Sequence, residues 1–168
     1  MKVQVVSIDH GWNELRRMMR EAGGGDSFAK AGIVGAKASA QHEGGDEQEP
    51  VNNATLAMIH EFGLGVPERS FIRAAFDANR EKYLANLQTL VSAIYDGKLT
   101  VGRALTLLGM QCASDIRKLI IDGAGVPPPN APATIKRKGS SRPLVDSAQM
   151  KNSITHEVVL NGSSSKEP

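Results

Sequence analysis

Two apolar stripes at helical spacing, joined by the short link "DGKL", constrain this chain more than any other feature. In "SFIRAAFDANREKYLANLQTLVSAIYDG" (70–97), Ile72, Phe76, Tyr83, Leu87, Leu90 and Ile94 fall on one face. In "TVGRALTLLGMQCASDIRKLIIDG" (100–123), Val101, Leu105, Leu108, Cys112, Ile116 and Leu119 do the same. Ser70 and Thr100 stand as N-caps, and Gly97 stands as a stop. The first helix would run roughly 35 Å at the helical rise. A link this short leaves an antiparallel helical hairpin as the natural arrangement. Phe71, Ile72 and Phe76 are expected to anchor the start of the long helix in the core or an interface. Phe76→Ala would cost about 3–5 kcal/mol if the ring were fully buried.

The flanks read as β structure. "KVQVVSI" (2–8) is rich in β-branched residues and partly alternates, so it is predicted as a strand. Asp9 then caps a helix over 11–22, with Trp12, Leu15, Met18, Met19 and Ala22 at helical spacing and Gly23–Gly25 ending it. Residues 29–39 read as a second strand and 154–160 as a last one. Residues 40–53 look like an exposed loop, and 53–63 like a short helix stopped by Gly63. The pattern predicts an α+β fold. A small, mostly antiparallel sheet from 2–8, 31–38 and 154–160 would accompany the two long helices. Residues 1–160 would form one domain and 161–168 a disordered tail.

Residues 126–154, "VPPPNAPATIKRKGSSRPLVDSAQMKNSI", hold five of the eight prolines. The run Val126-Pro127-Pro128-Pro129 cannot continue a helix and favours extended geometry. "SAQMKNSI" suits one short helical turn. Charge is distributed in blocks: 43–49 carries four acids and no base, and 135–143 carries four bases and no acid. Net charge is only +2, so the whole chain names no partner. Aromatics are 4% of the residues, which leaves the core to aliphatic side chains and methionine.

Candidate chemistry is sparse. His60-Glu61 would need a second histidine at the position of Leu64 to make a zinc-binding H-E-x-x-H helix, so the pair reads as a surface or interface pair. Cys112 lies on an apolar stripe and reads as a small buried hydrophobe; alone, it excludes an internal disulfide and fits a reducing cytoplasm. The glycine-rich stretches lack the ending of a phosphate-binding loop. No catalytic residue, metal or cofactor is expected. No membrane span is expected, and the N-terminus lacks the apolar core of a signal peptide. Lys136, Arg137, Lys138 and Arg142 read either as a solvated loop or as a contact to nucleic-acid phosphates or an acidic protein surface.

Two stretches carry a resemblance. "AMIHEFGLGVPERSFIRAAFD" (57–77) and "PPPNAPATIKRKGSSRPLVDSAQMKNSIT" (127–155), in this order around a helical pair, resemble tailed-bacteriophage tail-completion proteins. These are also called neck, head–tail joining or virion morphogenesis proteins. One departure is visible: the usual Thr-Gly of the second stretch is here Ser147-Ala148. The resemblance implies a structural virion protein and a homo-oligomer, usually a hexameric ring at the head–tail junction or the upper end of the tail. DNA would pass through its centre, other neck and tail proteins would be neighbours, and assembly would occur in the host cytoplasm. The alternative is a small nucleic-acid-binding protein using the basic stretch 135–143.

Within that reading, residues 126–145 would be an extended docking arm, spanning up to about 60 Å. Val126, Ile135, Leu144 and Val145 would supply apolar contacts to a neighbouring subunit or ring. Lys136, Arg137, Lys138 and Arg142 would meet acidic protein surface or DNA.

Overall fold

Local signals place the helices of the computed structural model, which describes residues 27–41, 51–122, 127–139, 141, 144, 149–160 and 163–165. The elements run β1 (Phe28–Gly32), α1 (Ala36–Ser39), α2 (Asn53–Phe62), α3 (Phe71–Tyr95), α4 (Val101–Asp122), α5 (Pro132–Lys138), α6 (Gln149–Ser153), β2 (Thr155–Leu160) and β3 (Ser163–Ser165). The α+β class and the pair of long helices are therefore as expected. The predicted strand 2–8 and helix 11–22 lie outside the described residues.

Three boundaries need correction. The second strand was expected over 31–38 but occupies 28–32. Gly32 takes φ 145 and Gly35 φ 61, so the chain turns there and α1 follows. The tail was expected to be disordered from 161, yet 163–165 pairs with β2 as an edge strand. The extended arm expected over 126–145 is interrupted by α5. Pro132 sits in its first turn, where a missing N–H costs nothing, and Gly139 closes it in the left-handed region, donating its N–H to Ile135 O at 2.8 Å.

The sheet order is β1-β2-β3, antiparallel throughout, with Phe28 opposite Val159 and Gly32 opposite Thr155. It lies on α4, whose Gly109 makes the approach possible: a Cβ there would stand 3.0 Å from the His156 side chain. Arg117 fixes the entry to β2 by donating to Ile154 O from Nε and Nη2 at 3.1 and 2.7 Å. The core gathers Phe71 and Ala75 of α3, Ala113, Ile116 and Ile120 of α4, Ala57 of α2, and Leu144, Met150 and Ile154 near the C-terminus.

The hairpin forms as its caps predict at α4, where Thr100 Oγ1 accepts from Arg103 N at 3.2 Å. At α3 the expectation fails. Ser70 makes no cap to its own helix; its hydroxyl donates to Glu61 instead. Of the three residues expected to anchor α3, Phe71 is fully buried, Ile72 packs partly on the core, and Phe76 is 37% exposed. The fully buried ring, and the large truncation cost, therefore belong to Phe71.

Candidate functional site

The corner between α2 and α3 is built from residues 57–77. Asn52 caps α2 by accepting from Thr55 N at 2.8 Å. Gly63 ends α2 at φ 68, and a Cβ there would meet Glu68 at 3.0 Å, so both backbone and space call for glycine. These two ends aim Glu61 at the start of α3. Its carboxylate accepts from Ile72 N at 2.9 Å, Arg73 N at 3.0 Å and Ser70 Oγ at 2.8 Å. Those amides would otherwise be unsatisfied at a helix N-terminus, where negative charge is also favoured. Arg73 closes the corner, bonding Glu61 Oε1 at 3.2 Å and Glu68 at 2.6 Å while its guanidinium lies over the Phe62 ring. Glu61 is thus buried structural machinery, and not the surface or interface pair that spacing alone suggested. Glu61→Ala is expected to lower stability by about 2–3 kcal/mol, because the carboxylate that accepts from two helix-start amides and the Ser70 hydroxyl is lost. Urea melts should show the loss, with Glu61→Gln recovering part of it.

Arg69 joins this corner to residues 128–130. It is buried and donates to Pro128 O at 3.1 Å, Pro129 O at 3.5 Å and Asn130 Oδ1 at 3.3 Å. The triproline run is therefore docked on its own chain, on an arginine whose planar fork suits several carbonyls at once. Leu144, expected to reach a neighbour, is instead in the chain's own core at 6% exposure. Ile135 is partly buried on α5 and Lys136 is exposed there. Arg137 and Lys138 belong to α5, while Val126, Arg142 and Val145 lie outside the described residues. Of the three contact residues whose side chains are described, Leu144 lies in the core while Ile135 and Lys136 sit on α5.

Sequence reasoning missed the surface that the fold leaves open. Along α3, Phe76, Leu84, Leu87, Val91 and Tyr95 are all exposed. At 3.6 residues per turn they share one face, about 28 Å long. Beside it lies a cleft of about 400 Å³ lined by Ala29 and Ala31 of β1, Phe76, Tyr83, Leu84 and Leu87 of α3, and Leu108 and Cys112 of α4. The Phe76 and Tyr83 rings meet edge-to-face at 5.6 Å. Phe76 and Leu87 belong to the stripe that the sequence shows; Leu84, Val91 and Tyr95 lie outside it, and the exposed face they complete was not legible.

Below the cleft, Lys82 donates to both oxygens of Asp115 at 2.8 Å, and Gln111 donates to Oδ2 at 3.1 Å. Burial pushes the Asp115 carboxyl up, but the Lys82 and Gln111 hydrogen bonds outweigh it and hold the group below 3.8. Its folded value is therefore depressed. The stability it contributes is complete above the ordinary carboxyl value and is lost as pH falls through the lower folded one. With Lys82 half exposed, the pair is expected to give about 1 kcal/mol at neutral pH. The stability difference between the wild type and Asp115→Asn should shrink as unfolding is measured below pH 3.8. Burial also pushes the Cys112 thiol up, the opposite of what a nucleophile needs.

Among the described residues no group of three or more His, Cys, Asp or Glu side chains is placed to hold a metal ion, and no helix is long and apolar enough to cross a membrane. The chain matches no protein-family model, no curated protein and no solved structure.

Proposed function

We propose that this chain is a structural subunit of a tailed-bacteriophage virion, forming a homo-oligomeric ring of six subunits that completes the tail or joins it to the head and lets DNA pass. The observation that carries this reading is where the two family-like stretches go. About sixty residues apart in sequence, they meet through Arg69 and Asn130. Phe71 of the first and Leu144, Met150 and Ile154 of the second share one core cluster. Glu61 and Arg69, the charged residues most enclosed by these stretches, support a helix end and a proline run. Side chains committed in this way serve architecture and assembly better than a reaction.

The uncovered α3 face adds weight. A run of exposed apolar side chains on one helix face marks a surface that something else covers. In a ring each subunit meets the next through unlike surfaces, and the rotation must close. The virion and the host cytoplasm during assembly are the places such a subunit occupies.

Native mass spectrometry and negative-stain imaging of the purified full chain test the reading. A closed ring of one stoichiometry, formed without nucleic acid, is the expected result. A monomer that binds duplex DNA tightly, with affinity falling steeply as salt rises, would overturn it in favour of a nucleic-acid-binding protein using residues 135–143.

A further inference from the structure

We propose that the apolar knob at the corner of α2 and α3, made by Met58, Phe62 and Leu64, seats in the cleft between β1 and α3 of a second copy of this chain. The inference rests on the ring reading and deepens it, by naming the contact that joins one subunit to the next.

Its first support is the knob. Met58 and Phe62 stand four residues apart on one face of α2, and Leu64 follows at the turn. Their exposures are 50%, 57% and 59%, high for three large apolar side chains in one place. The backbone beneath them is fixed. Gly63 takes the left-handed conformation, Leu64 N donates to Ile59 O at 2.9 Å, and Arg69 N donates to His60 O at 2.7 Å. A knob already held in place loses little freedom when it docks.

The second support is the socket. The cleft holds about 400 Å³, near the low end of the roughly 300–1,000 Å³ of small-ligand pockets. It therefore takes one or two side chains and not a whole helix. Phe76, Leu84 and Leu87 form its α3 wall, and Ala29 and Ala31 leave room on the β1 wall. An aromatic anchor that fills an apolar pocket is the usual centre of a protein–protein contact, and Phe62 has that form.

The third support is charge. The cleft lining also includes Asp77 and Arg80, both exposed. Beside the knob stand Glu68 and Arg73, ion-paired to each other, with the Arg73 guanidinium over the Phe62 ring. Each site thus carries one acid and one base at its edge. A docked pair can set Glu68 against Arg80 and Arg73 against Asp77, which fixes orientation more than affinity. Knob and socket are unlike surfaces of one chain, so the contact is heterologous and repeats from copy to copy until rotation closes the ring.

Native mass spectrometry of the full chain tests the contact. The wild type is expected to assemble. Phe62→Glu together with Leu64→Glu, and separately Leu84→Glu together with Leu87→Glu, should each weaken self-association by at least about thirtyfold while far-ultraviolet circular dichroism holds. Mixed in equal amounts, the two double variants should form a dimer and nothing larger, because the intact knob of one meets the intact socket of the other. A second measurement needs no variant. Cys112 lines the cleft, so its alkylation should be several-fold slower in the assembled wild type than in the diluted, dissociated one. Double variants that assemble as the wild type does would overturn this contact and leave the ring reading standing. So would a mixture that stays monomeric, or a Cys112 rate that assembly leaves unmoved. A wild type that is monomeric at every concentration would overturn both.

Discussion

Leu144→Asp is expected to abolish cooperative folding. Leu144 belongs to the core cluster that holds Met150, Ile154 and Phe71, and removing a buried leucine side chain alone costs about 2–5 kcal/mol. A carboxylate placed there adds a desolvation penalty, because it enters an apolar cluster. One effect opposes the loss. Leu144 sits at φ 60, a left-handed conformation that leucine adopts at a cost and aspartate tolerates better. Relief of that strain is worth about 1–3 kcal/mol, less than the combined loss. The net destabilisation, about 4 kcal/mol or more, approaches the whole stability of a typical domain of roughly 5–15 kcal/mol. Recovery in the soluble fraction and the thermal melt read the result together. A variant that stays soluble and melts like the wild type would remove Leu144 from the core. Leu144→Gly, which keeps the backbone relief without the charge, should fall between the two.

The second large effect is expected at Phe71. Its ring is fully buried in the cluster that also holds Ala75, Ile116 and Ile120. Phe71→Ala should cost about 3–5 kcal/mol, the transfer loss plus the cavity left behind. For a chain of this size that corresponds to a fall in Tm of about 6–20 °C. The position amplifies the effect, because Phe71 is the first residue of α3 and sits next to the amides that Glu61 caps. Combining Phe71→Ala with Glu61→Ala should therefore cost less than the sum of the two. Residues sharing one helix start are coupled, and a loosened end has less cap to lose. Strict additivity would mean that the cap and the ring act separately.

What could be read from the sequence divides along physical lines. The ends of α2, the hairpin link and the Thr100 cap were legible because each depends on residues within one turn of the backbone. Pro132 and Gly139 bracket α5 by the same logic, so its signal was present in "PATIKRKG" and was outweighed by the prolines before it. Glu61 was not legible as a cap, since the helix it serves begins ten residues later and is brought to it by the turn at Gly63. Nor was the fate of the apolar stripe on α3. Periodicity shows that a face is apolar, but what covers it depends on distant elements. Ile116 meets the core cluster, whereas Leu87, equally regular, is left at the surface. Leu144 was misassigned because one apolar residue among prolines and charges looks the same whether it anchors the chain to itself or to a neighbour.

The sheet has a consequence in time. β1 closes near residue 32, but its partner β2 does not begin until residue 155. During synthesis the helical hairpin, a local structure, is complete more than thirty residues before β2 emerges. Through that interval Ile116 and Ile120 lack their cluster partners Ile154 and Met150, and Gly109 lacks His156. Distant pairing of this kind is the slow part of folding, because the loop must close before any contact rewards it. The nascent chain thus carries a finished hairpin before β2, which seals its sheet-facing side, has been made.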